Sequence, residues 1–190
     1  MTTFEVHTME SAPAQSQPVL KEAKQKFGTI PNLFGVLAES PAIVEAYASL
    51  GSILNKSSLF SPTELQIVLL TTSFENNCEY CMAAHSAIAS MQDVPQHVTD
   101  SVRNGTAIQE PKLEALRTFT RLVVQMRGVV SEPDIEAFLA AGYTKRHVLE
   151  VVLGISLKTL SNFANHIAET PVDASFQRFA WTRPESPANA

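Results

Sequence analysis

The sequence predicts an all-α fold, and three observations carry that expectation. Gly is scarce at seven while the eleven prolines fall at the starts of helical windows or between their ends. Apolar residues recur at spacings of three and four, as in Ile43, Tyr47, Leu50 and Leu54. The chain also offers no convincing strand-helix-strand pattern.

The elements follow in order. Residues 1–17, with Ser11, Pro13 and Ser16 and little apolar periodicity, read as a flexible lead-in able to drape over the body or a neighbour. Val19–Phe27 gives a short helix closed by Gly28, and Asn32 to Leu37 a second apolar segment before Ser40-Pro41. After the helix through Ile43 and Leu54, Ser61-Pro62-x-Glu64 supplies a serine N-cap, a proline at N1 and a carboxylate at N3 for a helix over Leu65–Phe74. Asn76-Asn77 interrupts the run where a short polar side chain can cap the next helix, Cys78–Met91. Val94–Arg103, Lys112–Met126 and Glu132–Ala140 follow. Lys145–Ile167 is rich in β-branched residues, so helix and central strand compete on composition, and its length decides for helix. A single domain over 18–183 and a flexible tail over 184–190 complete the reading; Phe176, Phe179 and Trp181 are expected to anchor the tail to the body or a neighbouring subunit.

Composition narrows the class. A chain of 190 residues with 45% apolar content can bury a core without disulfide staples, so its two cysteines need another explanation. A formal charge of -5 with no basic cluster longer than Lys145-Arg146 argues against nucleic acid. No apolar run approaches the ~20 residues of a membrane span and no signal peptide opens the chain, so a cytoplasmic protein without a membrane partner is expected. Charged residues make 17% of the chain against a usual ~25%, a hint that other subunits cover part of the surface.

The chemistry concentrates in Glu75-Asn76-Asn77-Cys78-Glu79-Tyr80-Cys81-Met82-Ala83-Ala84-His85. On a helix starting near Asn77, Cys78, Cys81 and His85 share one face at adjacent turns. Cys78 would sit in the first turn, where free N–H groups and the helix dipole stabilise a thiolate, and His85 offers an imidazole for proton relay. Two other readings stay open. Cys78, Cys81 and His85 give three metal ligands with His166 or His147 as a distant fourth, although zinc sites usually show a second short-spaced pair. Two ordinary helical cysteines beside a core histidine are the plain alternative. Redox work is favoured, with no metal and no cofactor.

The motifs Leu59-Phe-Ser-Pro-Thr-Glu-Leu-Gln-Ile-Val-Leu-Leu and Asn77-Cys-Glu-Tyr-Cys-Met-Ala-Ala-His-Ser86, continued through Ser161-Asn-Phe-Ala-Asn-His166 to Trp181, resemble the AhpD-like alkylhydroperoxidases of the carboxymuconolactone decarboxylase superfamily. The resemblance covers most of the chain. It implies an AhpD-like helical bundle assembling into dimers, trimers or hexamers, which reduces organic hydroperoxides without haem or flavin. It further implies that Cys81 attacks the peroxide, Cys78 resolves the sulfenic acid into a disulfide, and His85 belongs to a proton relay. An external dithiol reductant must then reopen the disulfide. Helix position alone instead favours Cys78 for the lower thiol pKa, while proximity to His85 favours Cys81.

Two departures are visible. The family's relay glutamate, twelve residues before the first cysteine, is Gln66 here, an amide that cannot exchange a proton as a carboxylate does. Glu64, two positions earlier, points elsewhere on the helix and reads as the capping-box residue, leaving Glu75 as another carboxylate. The histidine that one branch places between its cysteines is replaced by Glu79-Tyr80. Tyr80 and His166 read as packing and interhelical residues before catalytic ones. Two further functions remain as alternatives: a decarboxylase-like enzyme using His85 for acid-base work, and a redox-sensing oligomer without rapid turnover.

Overall fold

The computed structural model describes residues 4–184 and holds nine α-helices and no strand among them. They are α1 (Gln17–Phe27), α2 (Asn32–Leu37), α3 (Pro41–Ser57), α4 (Pro62–Glu75), α5 (Glu79–Met91), α6 (Gln96–Asn104), α7 (Pro111–Gln125), α8 (Glu132–Ala140) and α9 (Lys145–Ala168), followed by a 3-10 turn over Ala174–Phe179. The long β-branched segment is helix α9, as its length required.

Helix α4 is the hub, buried continuously from Glu64 to Ser73 and packed against α5, α6, α7 and α9. Such a helix cannot be amphipathic, because every side meets protein. Its start is fixed locally: Ser61 Oγ accepts from the Glu64 backbone N–H at 3.3 Å, and Glu64 Oε2 accepts from the Ser61 N–H at 2.9 Å. Lys112 adds an ion pair at 3.3 Å, so Glu64 is fully occupied as a cap.

Two features differ from the sequence expectation. Helix α5 starts at Glu79, with Cys78 outside it as the extended N-cap residue at φ -95°. Asn76 ends α4, and Asn77 takes the left-handed conformation at φ 55°, which asparagine tolerates better than most residues. The two asparagines therefore turn the chain between α4 and α5 instead of capping α5. The lead-in also has a defined place over residues 4–16. His7 N–H donates to Gly35 O at 3.2 Å, Ser16 Oγ donates to Ala38 O at 2.7 Å, and Ala12 is buried. These hydrogen bonds and the apolar cluster of Ala12 with Leu20, Ala38 and Phe34, not periodicity, hold it, which is why no pattern announced it.

Of the three C-terminal aromatics, Trp181 is anchored to the body and Phe176 packs against the cluster that holds the two cysteines. Trp181 Nε1 donates to Arg103 O at 2.8 Å and its ring meets Phe74. The expected tail over 184–190 lies, beyond Pro184, outside the described residues. No helix among the described residues is long and apolar enough to cross a membrane.

Candidate active site

The turn at Asn77 delivers both cysteines to the inner side of the bundle, where each is 1% exposed and free. Helix α9 faces them with a buried polar stripe. Gly154, Lys158, Ser161 and Asn165 fall at i, i+4, i+7 and i+11, which is one helix face. Asn165 Nδ2 donates to Cys81 Sγ at 3.3 Å and reaches Cys78 Sγ at 3.8 Å, and Ser161 Oγ lies 3.7 Å from Cys81 Sγ.

Lys158 is the residue that sequence reasoning missed. It is 1% exposed, and its Nζ donates to His85 Nε2 at 2.9 Å. An ammonium has donors only, so His85 Nε2 carries the lone pair and His85 Nδ1–H donates to Gln66 Oε1 at 3.0 Å. Gln66 Nε2 donates onward to Gln92 Oε1 at 3.0 Å. The chain Lys158–His85–Gln66–Gln92 is thus directional, and it ends in two amides. A lysine in mid-helix normally reads as a solvent-facing residue. The available signal was that it lies in register with Gly154, Ser161 and Asn165, small or polar residues on what must be the inner face of an otherwise apolar helix.

The two thiols titrate in opposite directions. Burial resists ionisation of Cys81, but the hydrogen bond from Cys78, the charge of Lys158 and the Ser161 hydroxyl together hold it well below the ordinary thiol range. Cys78 is pushed far up by donating to Cys81, by burial and by the Cys81 charge. Helix position alone favoured Cys78, and that preference fails because Cys78 lies outside the first turn while Asn165 Nδ2 and Ser161 Oγ converge on Cys81 Sγ. His85 is held well below its ordinary value by burial and by the Lys158 charge, so the imidazole is neutral. Lys158 is raised: burial works against the ammonium, and the negative charge of the sulfur site, Cys81 first, outweighs it.

A cavity of about 650 Å³ opens beside these groups. Cys81, His85, Lys158 and Gln66 line it together with apolar Phe34, Leu69 and Phe176. Cys78 is not among its lining residues and lies behind Cys81. A nucleophilic sulfur facing an apolar cavity, with a second thiol at its back and a cation at its side, is suited to attack on a neutral electrophile followed by disulfide closure.

The other sequence candidates lie elsewhere or act indirectly. Tyr80 lines the cavity, but its hydroxyl donates to Asp173 Oδ2 at 2.6 Å and accepts from the Leu33 N–H at 3.1 Å, tying α5 to α2 and the C-terminal segment. Glu75 accepts from Gln125 Nε2 at 2.9 Å, away from the sulfurs. Exposed His166 bonds Asn77 O at 3.3 Å, and His147 caps α9 with Thr144. Neither histidine joins Cys78, Cys81 and His85, and no cluster of three or more His, Cys, Asp or Glu among the described residues is arranged to hold a metal ion.

No protein-family model matches the chain, and no curated protein does. Solved structures do. An uncharacterized peroxidase-related protein from Ralstonia eutropha JMP134, described as an alkylhydroperoxidase AhpD core, aligns with TM-score 0.81 and 24% identity over 91% of this chain and 93% of its own. A peroxidase-related protein from Silicibacter sp. TM1040 gives TM-score 0.78 and 17% identity over 93% and 96%. The debrominase Bmp8, as a cysteine-to-alanine variant in complex with 2,3,4-tribromopyrrole, gives TM-score 0.79 and 16% identity over 94% and 96%. The all-α fold of this chain is therefore the AhpD-like one, a fold that also carries the debrominase.

Proposed function

We propose that the protein is a thiol-dependent oxidoreductase that reduces organic hydroperoxides through a dithiol–disulfide cycle of Cys81 and Cys78, with His85 in the proton-transfer set. The carrying observation is the division of labour between the sulfurs: Cys81 faces the cavity together with Lys158, and Cys78, equally buried, lies behind it outside the cavity lining. Cys81 sulfur attacks the peroxide oxygen, the O–O bond breaks, and an alcohol leaves. Cys78 sulfur then displaces the hydroxyl of the sulfenic acid as water, forming the disulfide. An external dithiol restores both thiols by exchange. The apolar cavity wall favours a hydroperoxide with a sizeable organic group over hydrogen peroxide. Self-association belongs to the same reading, supported by the exposed stripe of Leu149, Val152, Phe163 and Ile167 along α9, and a cytoplasmic location goes with it as part of the proposal.

The test is anaerobic reduction, one equivalent of cumene hydroperoxide, and mass measurement with free thiols trapped. Loss of two hydrogens confined to Cys78 and Cys81 is expected. Unchanged thiols, or undiminished turnover in the variant with both cysteines replaced by serine, would reject the thiol mechanism and return the decarboxylase-like alternative.

A further inference from the structure

We propose that Lys158 is the proton donor of this reaction: its ammonium neutralises the Cys81 thiolate at rest and delivers a proton to the oxygen that leaves during attack, with His85 as its positioning residue. The proposal rests on the hydroperoxide reading of the same site and assigns the step that the resemblance gives to His85.

Three observations carry it. First, His85 has no proton to offer the cavity, because its one N–H is committed to Gln66 Oε1 and its Nε2 lone pair receives Lys158. Gln66 cannot resupply it, since an amide passes no proton as a carboxylate would. Second, Lys158 lines the cavity and has only one hydrogen on Nζ engaged by His85, leaving two for the sulfur and for a bound oxygen. Third, among the described residues no carboxylate lies within ion-pair distance of this buried ammonium. The titratable groups facing it are Cys81 and His85 of α5, Cys78 just before it and Tyr47 of α3, so its counter-ion is the Cys81 thiolate.

That last point couples charge to chemistry. When Cys81 sulfur forms its bond to oxygen, the thiolate disappears and the ammonium is left buried and unpaired, an unfavourable state. Donating its proton to the departing alkoxide removes both charges at once. Written out, Cys81 thiolate, Lys158 ammonium and ROOH give Cys81 sulfenic acid, Lys158 amine and ROH; sulfur loses two electrons to the O–O bond. Cys78 thiol and the sulfenic acid then give the disulfide and water. The external dithiol returns two hydrogens as protons with its two electrons, one to Cys78 and one through Cys81 to the Lys158 amine, closing the cycle.

Wild-type protein decides the source of the proton by timing. In weak buffer containing a pH indicator, rapid mixing with one equivalent of cumene hydroperoxide should show no proton uptake in the phase that consumes the thiolate, any reprotonation of the Lys158 amine following later; uptake of one proton in step with thiolate loss overturns the proposal. The variant Lys158→Met reads the same step through rates. Its Cys81 thiol, followed by ultraviolet absorbance of the thiolate with Cys78→Ser in both proteins, should titrate at least one pH unit higher than with Lys158 present. At a pH where the sulfur is ionised in both proteins, single-turnover reduction of cumene hydroperoxide should fall roughly 10² to 10⁴-fold. Reduction of a peracid, whose carboxylate leaves without a proton, should fall far less. Equal losses on both oxidants would overturn proton donation, and an unmoved titration would overturn the charge pair. If wild-type thiols ignore every hydroperoxide, the functional reading and the donation step fall together, while the titration still decides whether Lys158 and Cys81 are paired.

Discussion

Gly154 lies so close to Val68 that a Cβ on it would sit 2.7 Å from Val68 Cγ1. This contact sets the distance between α9 and the hub helix α4, and Lys158 comes one turn later on the same face. Gly154→Ala gains about 1 kcal/mol of helix propensity but overpacks the contact by about 1–3 kcal/mol, because Val68 is completely buried and has nowhere to retreat. Net destabilisation of about 1 kcal/mol is expected in urea unfolding. Combining it with Val68→Ala should recover part of that loss as a favourable coupling energy, and strictly additive effects would show that the contact does not limit the approach.

Titration of the sulfurs gives a second expectation, with the sign fixed by the direction of each shift. A thiol held below its ordinary range stays ionised as the pH falls below about 8.5, and loses reactivity only as the pH drops through its lowered value. Alkylation of Cys81 by iodoacetamide in the Cys78→Ser variant should therefore have its midpoint below about 8.5. Alkylation of Cys78 in Cys81→Ser should have the higher midpoint of the two, because burial still opposes its ionisation after the Cys81 contribution is gone. Midpoints in the reverse order would contradict the assignment of Cys81 as the nucleophile.

Gln66→Glu places a carboxylate against His85 Nδ1, where the sequence resemblance expects one. The 3.0 Å contact would then favour the imidazolium, so the His85 titration followed by ring NMR should move up from its depressed position. Gln66 is 3% exposed, and burying an ionised side chain beside the Gln92 carbonyl oxygen should lower stability by roughly 1–3 kcal/mol. An unmoved His85 titration would mean that the new carboxyl is protonated or turned away.

Much of this arrangement was legible in the sequence, and the exceptions have common causes. Helix ends at Ser61-Pro62 and Gly28 followed from local caps, which act within a few residues. The association of Cys78, Cys81 and His85 followed from spacing along one segment. Lys158 lies seventy-three positions from His85, and no local rule distinguishes a lysine that pairs with a thiolate from one that faces water. The extended conformation of Cys78 was hidden for a similar reason. It depends on left-handed Asn77, which the sequence marks only as a polar interruption. The packed lead-in required knowing that Gly35 exposes its backbone to a second segment.

Tyr80→Phe tests the connection between α5 and the C-terminal segment. Without the hydroxyl, the buried Leu33 N–H loses its acceptor and Asp173 loses its shortest donor, although Asp173 still accepts from the Asn32 N–H at 3.0 Å. A loss of about 1–3 kcal/mol is expected in unfolding measurements, the penalty for an unmade buried hydrogen bond. Faster amide exchange should appear at Leu33 and across the 3-10 turn, which carries Phe176 of the cavity wall.

Gly35→Ala should detach the lead-in while leaving the bundle intact. A Cβ there would lie 2.7 Å from Val6 Cγ1 and 2.9 Å from His7 O, and the second of these is backbone that cannot rotate away. Gly35 has no left-handed strain to relieve, so alanine is well tolerated by α2 itself and the clash falls on the strap alone. Lifting it breaks the His7 N–H bond to Gly35 O and withdraws His7 Nε2 from Glu39 Oε2, now 2.7 Å apart. Limited proteolysis with mass readout should then cut within residues 4–16 at least ten-fold faster than in the wild type, while circular dichroism retains the helical signal of α3 to α9. Equal protection of the strap in both proteins would show that α2 yields instead, and in that case the cavity wall at Leu33 and Phe34 should shift and change the rate of Cys81 alkylation.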